Sequence, residues 1–208
     1  MLILGHTGLT LGITVLLNRA LTKGNAPPPK GSLEPSTKTP QARASVSRHL
    51  AAWFTSLANR LDIRILLIGA LLPDIIDKPV GQLLFRETFS NGRIFSHTLL
   101  FLALITASGI FLQRSYGKNW LLVLSLGTSI HLILDEMWLS PKTLFWPLFG
   151  FTFEKIDLTG WTGGIFYALL HEPSIYIPEL VGGVILVTFA WILVRNRKVS
   201  AFIKNRQL

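Results

Sequence analysis

With 208 residues, half of them hydrophobic and 15% of them charged, the chain is long enough for one compact unit but too apolar for an ordinary soluble domain. The formal charge of +9 would suit a nucleic-acid binder, yet the basic residues flank apolar runs and form no stripe with interleaved aromatic residues, so we expect no nucleic-acid partner. The chain has no cysteine, which excludes disulfides and thiolate metal sites and leaves nitrogen and oxygen ligands for any bound ion.

The apolar segments predict an all-α fold, a polytopic membrane helical bundle of about four to five transmembrane helices with an interfacial amphipathic helix. Segment 1–17 is apolar, and basic residues follow it instead of preceding it, so we interpret it as a retained helix with an external N-terminus. Segment 23–45 is rich in Pro, Ser, Thr and Lys, which predicts a flexible cytoplasmic loop. Apolar residues at helical spacing in segment 46–61 predict the amphipathic helix, bound to anionic headgroups.

The middle of the chain carries one short and two long apolar segments. Segment 63–76 falls short of the ~20 residues that cross a bilayer as a straight helix. It is therefore either continuous with the preceding amphipathic helix or a half-buried helix whose carboxylate end is covered by protein. After a connecting loop over 78–92, segments 94–113 and 119–139 are each of spanning length, and their short connection predicts an antiparallel hairpin.

The remaining chain completes the predicted topology. The connection over 140–174 is rich in Pro, Gly and aromatic residues, which predicts an outer belt or lid on the headgroups. Segment 175–194 is the last predicted span, and a basic tail follows it. If the basic segments stay in the cytoplasm, alternation of the spans places the polar helix ends together on the outer face of the membrane. This convergence requires the short segment 63–76 to cross the bilayer.

Ionisable residues stand near the ends of the apolar segments, mostly in pairs three or four residues apart. A helix places residues at such spacings on one face. Ionisable groups are costly to place at the ends of membrane-length segments, which makes them candidates for a functional site. The candidates are His6, Asp74 with Asp77, Arg93 with His97, and His131 with Asp135.

Taken singly, each candidate has an ordinary structural interpretation. Asp74 and Asp77 would form a solvated helix end, His131 a hydrogen-bonded core histidine, and Arg93 a headgroup anchor. Their convergence favours a metal site, because carboxylates gathered at a bilayer boundary repel one another and a divalent cation offsets that repulsion. A set of His and Asp ligands without cysteine suits zinc, with manganese as the alternative.

Four short motifs follow one another in the order HTG, LLPDIID, R-x-x-SHT and H-x-x-x-D. This order resembles the YdjM-type family of predicted membrane-bound metal-dependent hydrolases. The family is distantly similar to zinc-dependent phospholipase C and P1 nuclease, which implies phosphoester hydrolysis by analogy. Those enzymes use a larger ligand set, to which His171 and Glu172 are the nearest additional candidates here. The resemblance implies a metal site formed by His6, Asp74, Asp77, His97, His131 and Asp135.

We therefore expect a single membrane-embedded, hydrolase-like domain over residues 1–208, located in the inner membrane with its site on the outer face. The expected substrate is a phosphoester in a lipid or lipid-linked molecule. Asp74 or Asp77 would complete the metal shell or act as the general base, and Arg93 would clamp the phosphate. The competing expectation is a non-catalytic protein, either a metal-stabilised membrane scaffold or a small transporter, in which the same groups are structural or line an ion path.

Overall fold

The computed structural model describes residues 1–24, 62–156, 161–197, 199–200 and 202, and within these residues every regular element is helical. The all-α prediction is confirmed for this part of the chain. The predicted amphipathic helix and almost all of the predicted loop over 23–45 lie outside the described residues. The α-helices are α1 (Ile3–Gly24), α2 (Ile63–Lys78), α3 (Leu99–Tyr116), α4 (Trp120–Leu134), α5 (Pro141–Leu144), α6 (Trp161–His171) and α7 (Pro173–Arg195).

Two helix pairs form the centre of the fold, α2 with α4 and α1 with α7. Helix α1 also contacts α2, and α3 packs against α4 as the predicted hairpin requires. At both central crossings the backbones touch. A Cβ atom at Gly69 of α2 would collide with the carbonyl oxygen of Leu124, and one at Gly182 of α7 would collide with that of Leu4. Small residues at crossings are typical of helices that pack within membranes.

Helices α3 and α7 are long and apolar enough to cross a membrane, whereas α4 and the apolar part of α1 are shorter. Large apolar side chains on the two long helices face outward, including Leu104, Phe111, Val187 and Trp191. Such surfaces suit contact with lipid tails. The described residues thus contain two helices of spanning length, so the predicted count of four to five membrane helices is not confirmed.

Several element boundaries differ from those predicted. The helix expected over 94–113 begins at Leu99, because the Thr98 hydroxyl accepts the backbone N–H of Phe101 at 3.1 Å and caps the helix there. A 3₁₀ turn over Phe95–His97 precedes it, so Arg93 and His97 do not share a helix face as their spacing indicated. The expected loop over 78–92 starts as a π-helical segment, Pro79–Leu84, that continues directly from α2.

The helix expected over 119–139 ends at Leu134 and is followed by a second 3₁₀ turn over Met137–Leu139. The segment expected as an aromatic loop over 140–174 contains both α5 and α6. The polar end of α2 packs against the 3₁₀ turn that carries His97, and His131 near the end of α4 contacts His97.

Candidate metal centre

Three histidines from different elements meet in the interior of the bundle. His6 comes from α1, His97 from the 3₁₀ turn before α3, and His131 from the last turn of α4, and all three are completely buried. The rings of His6 and His131 are stacked with centroids 4.1 Å apart. The Nε2 atoms of His97 and His131 lie 3.2 Å from each other.

Contacts with backbone carbonyls of α2 fix the part of α4 that carries His131. Pro73 lacks a backbone N–H and therefore leaves the carbonyl of Gly69 without its usual helical donor. The hydroxyl of Thr128 on α4 donates to that carbonyl at 3.2 Å. One turn further along α4, His131 Nδ1 lies 2.7 Å from the carbonyl oxygen of Ala70. Because a carbonyl only accepts hydrogen bonds, Nδ1 carries the proton and Nε2 presents a lone pair.

Asp77 fixes His97 in the same way. Its buried carboxylate lies 2.7 Å from His97 Nδ1 and accepts the backbone N–H groups of Ile94 at 2.8 Å and Ser96 at 3.0 Å. It also accepts from the Ser96 hydroxyl and from the backbone N–H of His97. The carboxylate therefore holds the 3₁₀ turn in place and orients the imidazole, so that His97 Nε2 faces His131 Nε2.

Two further carboxylates complete the cluster. Asp74 Oδ1 lies 3.7 Å from His97 Nε2, and Asp135 Oδ2 lies 3.9 Å from His97 Nε2 and 4.0 Å from His131 Nε2. Asp135 Oδ1 is 3.1 Å from His6 Nε2. Two overlapping sets, His6 with His131 and Asp135, and Asp74 with His97 and His131, each have ligand atoms within 4.8 Å of one another.

His6 is the least satisfied member of the cluster. Its Nε2 atom approaches Asp135, but the contact lacks hydrogen-bond geometry, and neither ring nitrogen has a hydrogen-bond partner among the described residues. A buried polar atom left unpaired costs about 1–3 kcal/mol. Coordination to a cation would satisfy it, and the nitrogen and oxygen donors gathered here are a set that fits zinc.

Two side-chain cations edge the cluster, and the N-terminal ammonium group of Met1 also lies 3.3 Å from Asp135 Oδ1. Lys78 Nζ lies 2.6 Å from Asp74 Oδ2, and Arg93 Nε lies 2.9 Å from Asp135 Oδ2. Asp135 follows the last residue of α4, and although burial opposes its ionisation, His6 and Arg93 outweigh that effect and hold its pKa well below its ordinary value. The lysine and arginine side chains are 36% and 41% exposed, so this side of the otherwise buried cluster faces outward.

The model of the YdjM inner membrane protein family matches residues 42–201, more than half of the chain. The chain belongs to this family. Comparisons with curated proteins and with solved structures found no match. The family and the two long apolar helices indicate an inner membrane protein. The matched range includes the cluster residues from Asp74 to Asp135, whereas His6 precedes it.

In this YdjM-family protein the structure brings together all seven residues singled out from the sequence, but not the two additional candidates. His171 is exposed, with its ring stacked on Tyr167 and its Nδ1 atom 3.0 Å from the Tyr167 carbonyl oxygen. Glu172 is exposed at the start of α7. Neither residue belongs to the two clusters of potential ligands.

Sequence reasoning missed Glu179, a buried carboxylate on α7. It accepts the backbone N–H of Leu2 at 2.6 Å and of Leu4 at 3.0 Å, and so ties the first turn of α1, which carries His6, to α7. The sequence feature that could have identified Glu179 is its position as an acidic residue inside an apolar run of membrane length. Lys78 was also missed, although it directly follows the D-I-I-D motif.

An aromatic cluster adjoins the 3₁₀ turn. Phe95 contacts Trp146, Phe153 and Phe89 edge to face, with ring centroids 5.4, 5.1 and 5.6 Å away. The side-chain amide of Asn91 donates to the carbonyl of Glu154 at 2.7 Å and fastens the segment around Phe153 to the chain before Phe95. The aromatic-rich segment thus covers the residues beside His97.

Proposed function

We propose that this YdjM-family protein is an integral membrane metal-dependent hydrolase that cleaves a phosphoester in a lipid or lipid-linked substrate. The observation that carries the proposal is the pair of Nε2 atoms, on His97 and His131, that face each other at 3.2 Å while both Nδ1 atoms are held by acceptors. Two lone pairs at that separation repel each other, and coordination of both nitrogens to a cation would relieve the repulsion.

The ligands in this proposal are the three imidazoles with Asp135. Zinc is the first choice of ion, with manganese as the alternative. When bound, such an ion supplies Lewis-acid polarisation of a phosphoryl oxygen and activation of a water molecule. Asp77 and the Ala70 carbonyl orient His97 and His131 from behind, as groups in the outer shell of metal sites commonly do.

The two aspartates of α2 receive different roles. The oxygens of Asp77 already accept from several donors, and the residue has no exposed surface. Asp74 points one oxygen at the histidines and uses the other for Lys78. We therefore assign the general base to Asp74, which takes the proton from the attacking water at Oδ1. Arg93 holds Asp135 and extends toward the outside, where it clamps the substrate phosphate.

A lipid-linked substrate is supported by the apolar surface near the cluster. Leu83 in the π-helical segment is 77% exposed, and Leu148 and Phe151 in the aromatic-rich segment are 81% and 79% exposed. Exposed apolar side chains of this kind suit contact with the acyl chains of lipids. Two further parts of the proposal rest on the distribution of basic residues. They are the position of the site on the outer face of the membrane and the assignment of α1, α2 and α4 as further membrane helices. The similarity to phospholipase C and P1 nuclease enters as an analogy for the reaction type.

One observation favours the second candidate, a non-catalytic metal-stabilised scaffold or small transporter. The three histidines are completely buried, and a closed coordination shell is the property of structural metal sites. The two candidates differ in whether the exposed side marked by Lys78 and Arg93 admits a substrate.

The deciding experiment measures bound metal and phospholipid hydrolysis on the same purified preparations. We expect the wild-type protein to carry a divalent metal and to hydrolyse one of the phospholipids offered. The double variant His131→Ala with Asp135→Ala should lose both properties, because two ligands four residues apart chelate together. His171→Ala, a surface histidine outside the cluster, is the matched control and should keep both. Metal content unchanged in the double variant would overturn the proposed site, and bound metal without hydrolysis would favour the scaffold.

A further inference from the structure

The two cations at the edge of the histidine and aspartate cluster carry a more specific inference. We propose that Lys78 and Arg93 together form an anion-binding site next to the metal centre, and that this site takes the phosphate group of a phosphoester. The inference rests on the proposed function and deepens it, because it assigns Lys78 a part in substrate binding.

The chain places both cations on the same side of the cluster. Lys78 ends α2 directly after Asp77, and its side-chain stem packs against Gly92, where an added Cβ would lie 3.1 Å from Lys78 Cγ. Gly92 immediately precedes Arg93 in the chain. The lysine therefore lies beside the backbone from which Arg93 extends, and each cation is paired with a different carboxylate of the cluster.

These pairs differ from an ordinary surface ion pair. Lys142 and Glu154 are 3.1 Å apart, and both side chains are about two-thirds exposed, 67% and 69%, so the pair contributes little. The carboxylates that hold Lys78 and Arg93 are only 10% and 3% exposed, and both face His97 Nε2. Their charge is therefore directed at the proposed metal as well as at the cations.

The cluster becomes positively charged when a divalent ion binds. With neutral imidazoles, the three aspartates balance three cations, which are Lys78, Arg93 and the N-terminal ammonium group of Met1. A divalent ion converts this into a net charge of plus two. The loaded cluster therefore attracts an anion more strongly than the metal-free cluster does.

Both cations have N–H donors that the carboxylates do not use and that can bind such an anion. Arg93 contacts Asp135 through Nε, and among the described residues its Nη groups have no hydrogen-bond partner. Lys78 has three N–H donors and gives one to Asp74. A planar guanidinium and an ammonium group beside a divalent ion are groups that bind phosphate oxygens. The phosphate could belong to a lipid headgroup or to a soluble phosphoester, and the two share this chemistry.

The test uses the full chain, purified in detergent and saturated with zinc, with inorganic phosphate as the probe in isothermal titration. Lys78→Met keeps the length of the side chain and removes its charge, and we expect it to weaken phosphate binding about tenfold at equal zinc content. Lys78→Arg should bind more tightly than Lys78→Met. Lys142→Met removes a lysine from an exposed ion pair with Glu154, which is not one of the cluster carboxylates, and should bind as the wild type does. Lys78→Gln replaces Lys78→Met if that variant does not fold.

A second arm distinguishes the source of the phosphate. Nanodiscs that contain phosphatidylglycerol compete with inorganic phosphate if the site takes a lipid headgroup, and they leave the titration unchanged if it takes a soluble phosphoester. The inference is overturned if zinc-loaded wild-type protein binds neither probe, if removal of zinc leaves phosphate affinity unchanged, or if Lys78→Met and Lys142→Met bind equally well. Failure of the wild-type protein to bind zinc would instead overturn the proposed function itself, and the anion site with it.

Discussion

The two central helix pairs position histidines at the same site through different contacts. In the pair α2 and α4, His131 is fixed by the Ala70 carbonyl, and Asp77 fixes His97 through its ring and its backbone. In the pair α1 and α7, no hydrogen bond among the described residues fixes the ring of His6. Its position depends on stacking against His131 and on the Glu179 contacts that anchor its helix. The first pair is thus an ordered frame before any ion binds, and the second completes the site.

The first test of this comparison concerns the two aspartates of α2. Asp74 is proposed as the general base, whereas Asp77 orients His97. Asp74→Asn should lower phosphoester hydrolysis by roughly 10²- to 10⁴-fold, because it removes the general base, while the protein retains metal at saturating concentration. Turnover and metal content measured on the same preparation check this. If the variant keeps full turnover on a substrate that the wild type hydrolyses, Asp74 is not the base.

Asp77→Asn should act on metal affinity instead. It weakens the hydrogen bond to His97 Nδ1 and the anchoring of the 3₁₀ turn, and loss of such an orienting group costs about 10- to 100-fold in affinity. Competition with a zinc chelator measures the effect. An affinity equal to that of the wild type would show that the frame does not depend on Asp77.

The second helix pair is tested through Glu179. Glu179→Ala releases the first turn of α1 and should weaken zinc binding about tenfold, whereas Glu179→Gln keeps one acceptor oxygen and should weaken it less. If Glu179 acts by positioning His6, its replacement should have no further effect on zinc affinity in a His6→Ala background. Additive losses in the double variant would show a general structural role.

The smallest change is expected at Arg93, which belongs to neither helix pair. Arg93→Lys keeps the charge but loses the planar fork of donors, so substrate affinity should fall by less than about tenfold. Metal content should stay at the wild-type value. Loss of metal in this variant would mean that Arg93 is required to hold Asp135 as a ligand, and would extend the ordered frame to the chain before α3.

Residue spacing correctly predicted how His131 and Asp135 come together, but not how Arg93 and His97 do. His131 and Asp135 are four residues apart, and the last turn of α4 brings them within 4.0 Å as expected. Arg93 and His97 also reach the cluster, but not through a shared helix face. His97 is placed by backbone N–H groups that donate to Asp77, a contact between segments that periodicity does not encode.

Contacts between distant parts of the chain could likewise not be predicted from the sequence. Glu179 is recognisable as an acidic residue in an apolar run, but its partners, Leu2 and Leu4, lie at the opposite end of the chain. The predicted count of membrane helices is not confirmed, in part because α4 ends at Leu134, before the polar residues that terminate its apolar run. Helix α3 begins later in the chain than predicted because Thr98 caps it, and the hydrophobic pattern gives no indication of this cap.

The central claim is that the facing imidazoles of His97 and His131 coordinate a divalent ion, and X-ray absorption at the zinc edge tests it most directly. For zinc-loaded wild-type protein we expect a shell of nitrogen and oxygen ligands with the multiple-scattering signal of imidazole. That signal should fall in His97→Ala and in His131→Ala, and should be unchanged in His171→Ala. A spectrum without imidazole scattering, or one that none of these substitutions alters, would contradict the account.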